Sequence, residues 1–174
     1  MGKRSAFARV GRDLYETPPE AIRPLLGWLE PQTAFIEPCY GQGALAAFLE
    51  ASGHYCVSRY DLDRGWDARK DPYHPVIPGE IFITNPPWSR DVLHDIIVNL
   101  SNQAPSWLLI DSDWMHTQQS IPYLPRLRKI VSVGRVRWIP GSPYDGKDNC
   151  CWYLFDRPSN QETVFIGRRS DRPG

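Results

Sequence analysis

Apolar positions along this chain switch repeatedly between short continuous runs and helical spacing. Residues 33–36, 55–60, 81–84 and 107–110 read as strands, each β-branched or aromatic and bounded by turn-forming residues. Helical spacing fills the gaps at 18–29, 44–51 and 89–100. The first of these has Thr17 as N-cap, Pro18 and Pro19 in its first turn and a bend at Pro24. The third carries Val92, Ile96 and Leu100 on one face. Residues 63–78 have no period and read as loop, and 118–127 are partly helical, broken by Pro122 and Pro125. Two late strands are expected near 130–133 and 151–155, joined through a turn-rich loop over 140–149.

Strands alternating with helices predict an α/β fold, a mostly parallel sheet with helices on both faces and an antiparallel edge strand from the late pair. Ligands in such folds sit beyond the carboxyl ends of the strands. Glu37, Asp61, Asn85 and Asp111 all fall at those ends.

The most distinctive local chemistry is Asn85-Pro86-Pro87-Trp88, directly after Ile81-Phe82-Ile83-Thr84. Neither proline can donate a ladder hydrogen bond, and their fixed φ stiffens the strand exit. One side-chain amide, one bare carbonyl and one indole face are thereby presented together. That set suits the stacking of a planar ring and the polarising of its exocyclic amine.

Glu37-Pro38-Cys39-Tyr40-Gly41-Gln42-Gly43 lies between the first strand and the next helix, where Gly41 and Gly43 permit positive φ. Asp61 is placed to accept from two vicinal ribose hydroxyls. Gly41-Gln42-Gly43-Ala44-Leu45-Ala46 also fits the dinucleotide fingerprint, so the loop alone leaves nicotinamide and other adenosine cofactors open. A dehydrogenase has no use for a rigid Asn-Pro-Pro-Trp, whereas an amine methyltransferase does. A carboxylate at Glu37 would repel a pyrophosphate but attract the α-amino group of a methionine moiety. S-adenosylmethionine is therefore the expected cofactor.

Together these residues resemble the S-adenosylmethionine-dependent DNA amino-methyltransferases, especially the small N6-adenine enzymes of phages and prophages. The resemblance runs from Tyr15 to about Phe155. It implies a Rossmann-like class I methyltransferase fold. Tyr15-Glu16-Thr17-Pro18-Pro19 resembles the family's N-terminal cofactor motif, which implies cofactor contacts from Tyr15, Thr17 and Pro18. Glu37, Pro38, Gly41 and Gly43 resemble the glycine-rich motif, and Asp61 the ribose-binding acid. For the acid that binds the cofactor's adenine amine, Asp71 fits by its distance from Asn85, with Asp67 in reserve. Asn85, Pro86, Pro87 and Trp88 resemble the catalytic motif, and Trp152 is matched to a late motif that packs on the target base. His116 and Asp113 are further candidates for the pocket wall.

The implied reaction is methyl transfer to N6 of adenine in DNA, with the base flipped out and stacked on Trp88. RNA bases, cytosine N4 and a non-catalytic nucleic-acid-binding role stay open as alternatives. No metal is required. Residues 62–84 leave no room for a target-recognition domain, and the expected organisation is a flexible basic arm over 1–12, one domain over 13–166 and a flexible basic tail over 167–174.

Composition adds little. Twenty basic and twenty acidic residues give zero formal net charge, against nonspecific coating of nucleic acid. Lys3, Arg4, Arg9 and Arg12, then Arg126, Arg128, Lys129, Arg135 and Arg137, then Arg168, Arg169 and Arg172 cluster as phosphate contacts or as solvated charge. No apolar stretch approaches a membrane span and no leader is visible, so a cytoplasmic protein with no membrane partner is expected, its four cysteines reduced. A homodimer is left open.

Overall fold

Neighbouring residues in the central strands point to opposite faces of one sheet, and this alternation sorts the core into two layers. The computed structural model describes residues 15–73, 76–139, 141, 146 and 148–168. The arginines and lysine at 3, 4, 9, 12, 169 and 172, and most of the 140–149 loop, lie outside the described residues.

The elements in chain order are α1 (Pro19–Leu26), β1 (Ala34–Glu37), α2 (Ala44–Ala51), β2 (Tyr55–Arg59), β3 (Ile81–Thr84), α3 (Arg90–Gln103), β4 (Ser106–Asp111), β5 (Leu127–Arg135), β6 (Asn149–Phe155) and β7 (Val164–Ile166). Single-turn or broken 3-10 segments occupy Leu62–Arg64, Ser112–His116 and Gln118–Arg126. The sheet order is β2-β1-β3-β4-β6-β5-β7. All neighbours run parallel except at β6, which opposes both β4 and β5. The reversed strand is thus inside the late half of the sheet, and β5 and β7 lie beyond it.

Phe35, Ile83, Trp107 and Leu109 face α1 and α2, packing on Ile22, Leu25, Leu45 and Leu49. Ile36, Phe82, Leu108 and Ile110 face α3, packing on Leu93, Ile96, Ile97 and Leu100. Helices therefore cover both faces. The observed α3 stripe is centred on Leu93 and Ile97, while Val92 is only half-buried.

Several elements differ from the sequence expectation for identifiable reasons. α1 ends at Leu26, where Gly27 caps it, and Trp28 and Leu29 leave the helix to pack against the same core layer. β5 and β6 are longer than expected because they pair from Leu127↔Phe155 to Arg135↔Asn149, with register shifts between Leu127 and Lys129 and between Ser132 and Gly134. β7 was not expected: Val164 and Phe165 are exposed, and parallel pairing with β5 supplies what burial does not. Trp152 is fully buried and donates its indole N–H to the Ala21 carbonyl at 2.7 Å. It fastens α1 to the sheet and is not available to pack on a base.

The central basic cluster is largely engaged within the chain. Arg126 donates to Ser101 and Asn102, Arg128 to the carbonyls of Pro125, Leu127 and Arg157, and Lys129 lies 4.6 Å over the Trp28 ring. Among the described residues, no helix is long and apolar enough to cross a membrane.

Candidate functional site

The chain leaves β1 toward β2 on one side and returns to β3 on the other, so the carboxyl ends of β1 and β3 diverge at a topological switch point. A cavity of about 550 Å³ opens there. It is lined by Tyr15, Glu16 and Thr17, by Glu37 to Gly41 and Asp61, by Trp66 to Arg69, and by Asn85, Pro87 and Ser89. Of the predicted cofactor residues, Tyr15, Thr17, Glu37, Pro38, Gly41, Asp61 and Asp67 line it. Pro18, Gly43 and Asp71 do not line it, nor do His116, Asp113 and Asp111.

Glu37 is the most unusual group. It is 2% exposed, and its Oε2 has no hydrogen-bond partner. Burial pushes its carboxyl up to about 9, with the nearby Glu16 and Asp61 charges adding to the rise. A buried carboxyl with a free oxygen facing a cavity is suited to a cationic ligand group, which would favour its ionised form.

The glycine loop is closed from within. Gly41 and Gly43 adopt φ of 55° and 93°, and the loop's amides alternate in direction, those of Gln42 and Ala44 pointing to Glu16. The Glu16 carboxylate takes two of them, accepting Gln42 N–H at 2.8 Å and Ala44 N–H at 3.0 Å. Ala44 is the first residue of α2, so Glu16 occupies the place where a phosphate would bind a helix start. Glu16 went unread as a site residue because these contacts span 26 and 28 residues. Asp61 supports the loop from the other side: Oδ2 accepts Gly41 N–H at 2.8 Å and Oδ1 accepts Asp63 N–H at 3.1 Å.

Of the two acids proposed for an adenine amine, Asp67 lines the cavity and Asp71 stands behind it, accepting Asp67 N–H at 2.7 Å. The Arg69 guanidinium grips the Asp67 carboxylate at 2.8 and 2.7 Å and holds it down at about 2. Trp66, beside it, stacks on Tyr60 with ring centroids 4.3 Å apart and presents an aromatic wall that the sequence reading did not name.

At the exit of β3, Asn85 donates its Nδ2–H to Thr17 Oγ1 at 3.2 Å. Pro86 is buried and Pro87 half-buried. Trp88 is half-buried outside the cavity lining, its indole N–H donated to the Leu109 carbonyl at 3.0 Å. Its ring meets Trp138 edge-on at 5.7 Å, and Trp138 lies 6.4 Å from Tyr15, which returns to the cavity. The four-residue motif thus spans two places: Asn85 and Pro87 face the cavity, and Trp88 belongs to an adjoining aromatic group.

No protein-family model matches the chain, and no curated protein matches it in sequence. In structure it is similar to a protein assigned as the modification subunit of a type I restriction enzyme from Vibrio vulnificus, with a TM-score of 0.55 and 11% identity over 91% of this chain. It is also similar to a dimethyladenosine transferase from Plasmodium falciparum, with a TM-score of 0.53 and 14% identity over 84% of this chain. The chain spans 48% of the first protein and 63% of the second. The likeness establishes the Rossmann-like methyltransferase fold.

Proposed function

We propose that the chain binds S-adenosylmethionine at the switch point and transfers its methyl group to the exocyclic N6 of adenine in DNA. The observation that carries this reading is one cavity lined both by the buried Glu37, whose Oε2 is unpartnered, and by Asn85 and Pro87 of the stiff β3 exit. Glu37 suits the α-amino group of a methionine moiety, and the helix-start amides already filled by Glu16 leave no seat for a pyrophosphate. In this reading Asp61 holds the ribose, and Trp66 and Asp67 the adenine and its amine; all three line the cavity. Asp67 replaces Asp71 as the favoured residue for that last role.

When bound, the cofactor supplies an electrophilic sulfonium methyl group. Asn85 Oδ1 and the Pro86 carbonyl accept the two N6 hydrogens of the target base, which raises the availability of the nitrogen lone pair. These fixed acceptors also stabilise the positive charge that develops on N6, at no cost of reorganisation. The N6 proton then leaves to solvent. Trp88, its edge anchored on Leu109, offers its face to a base flipped from the stack, a contact of about 1–3 kcal/mol on other proteins. One of the fold's relatives is named for transfer to adenosine, which agrees in class with this reading.

The test is incubation of the full chain with methyl-labelled S-adenosylmethionine and DNA, with RNA as a parallel arm, followed by digestion to nucleosides. Label in N6-methyladenine from DNA is expected. Asn85→Ala should lower transfer by roughly 10²-fold or more while calorimetric cofactor binding survives. Label found only from RNA, or only at cytosine, moves the substrate. Unimpaired transfer by Asn85→Ala would sink the mechanism.

A further inference from the structure

Thr17 and Asn85 each stand directly before a proline pair, and the hydrogen bond between them joins two stiff segments that are 68 residues apart. A residue ahead of proline is held out of the helical region. Pro18 itself is extended, at φ −75° and ψ 154°, before α1 begins. Thr17 is β-branched and only 4% exposed, so its hydroxyl is carried to one place. That place is 3.2 Å from Asn85 Nδ2.

An asparagine side chain carries a donor at one end and an acceptor at the other, and a half-turn exchanges them. With Nδ2 spent on Thr17, Oδ1 is the end left over, and among the described residues no donor takes it. The Thr17 hydroxyl can meet either end of the amide, so what it fixes is the place of the group, and the target amine, itself a donor, pairs with the oxygen. We infer that Thr17 is a positioning residue: it fixes the Asn85 amide so that the acceptor oxygen faces the target amine. This differs from the cofactor contact implied by sequence resemblance, and its consequence for turnover rests on the role proposed for Asn85.

Removing the hydroxyl while keeping the shape is the direct test. Thr17→Val should lower kcat roughly tenfold or more, since misplacement of a reacting group by about 1 Å can cost ~10²-fold, with calorimetric affinity for S-adenosylmethionine within about twofold. Thr17→Ser should recover most of kcat. In an Asn85→Ala background, where no amide is left to position, the Thr17→Val penalty should vanish, a coupling that a purely structural role would not produce. Side-chain amide NMR reads the orientation without turnover: one Asn85 Nδ2 proton should show the shift and slowed exchange of a bonded donor, lost in Thr17→Val. Full kcat in Thr17→Val, or a loss confined to cofactor affinity, overturns the inference. If the wild-type chain methylates no nucleic acid, the proposed function fails, and the NMR signature alone then decides whether Thr17 orients Asn85.

Discussion

The Asp61 carboxylate accepts the Gly41 amide at 2.8 Å, tying the end of β2 to the glycine loop beside it. The same side chain caps the turn at Leu62–Arg64 through Asp63. One acid therefore shapes the loop and faces the cavity. Asp61→Ala orphans two backbone amides, each worth about 1–3 kcal/mol when left unsatisfied out of water. Affinity for S-adenosylmethionine is expected to fall about tenfold to a hundredfold by calorimetry, with a lower Tm. Asp61→Asn, which retains one acceptor oxygen, should lie between.

Glu37 sets stability against binding. Its carboxyl ionises near 4.5 when the chain is unfolded and at about 9 when folded, so the unfolded state holds fewer protons throughout that interval. Stability tied to this group is greatest below pH 4.5 and is lost as pH rises toward 9. Glu37→Gln removes that dependence and should stabilise the ligand-free chain at pH 7 by about 3 kcal/mol. Thermal melts at pH 5, 7 and 9 check the slope. The same substitution should weaken the proposed cofactor by at least tenfold, because a neutral amide cannot pair with an ammonium.

Gly43 tolerates no side chain. Its φ is 93°, and an added Cβ would overlap the hydroxyl end of the Tyr40 ring, over which the Arg64 guanidinium lies 4.9 Å from the centroid. Gly43→Ala should cost at least about 2 kcal/mol in urea unfolding with an unchanged m-value. At Gly41 the obstacle is the movable carboxylate end of Glu16, at 2.8 Å, so Gly41→Ala should cost less.

Arg69 holds Asp67 ionised. Asp67 titrates at about 2, below its ordinary value, chiefly through its Arg69 hydrogen bonds. Its contribution to stability is complete above about pH 4 and disappears as pH falls through 2. Arg69→Ala should return the Asp67 titration toward 3.8, read by carboxyl NMR, and shift acid unfolding to higher pH.

Legibility in the sequence followed the range of the interactions involved. Residues 44–51 and 81–84 match α2 and β3 to the residue, because a glycine turn and a proline pair mark their limits locally. β7 was invisible, since its three residues have no apolar alternation and exist as a strand only beside β5. In the site, Glu37, Gly41, Asp61 and Asn85 could be placed from strand ends and turn residues alone. Glu16 could not, because carboxylate capping across 26 residues leaves no periodic trace. Which of Asp71 and Asp67 lines the cavity was not legible for a related reason. Linear distance from Asn85 does not say which of two acids on one turn faces inward. Trp152 looked chemical because aromatics in strands can be either wall or core, and only burial separates the two.

The bond from Trp152 to Ala21 crosses 131 positions of chain. During synthesis, α1 and the Tyr15–Pro18 strap emerge first, yet the surface that receives them is finished only when β6 has left the ribosome. A nascent chain arrested short of β6 would carry every residue of the proposed catalytic motif and still lack the strand whose Trp152 fastens α1.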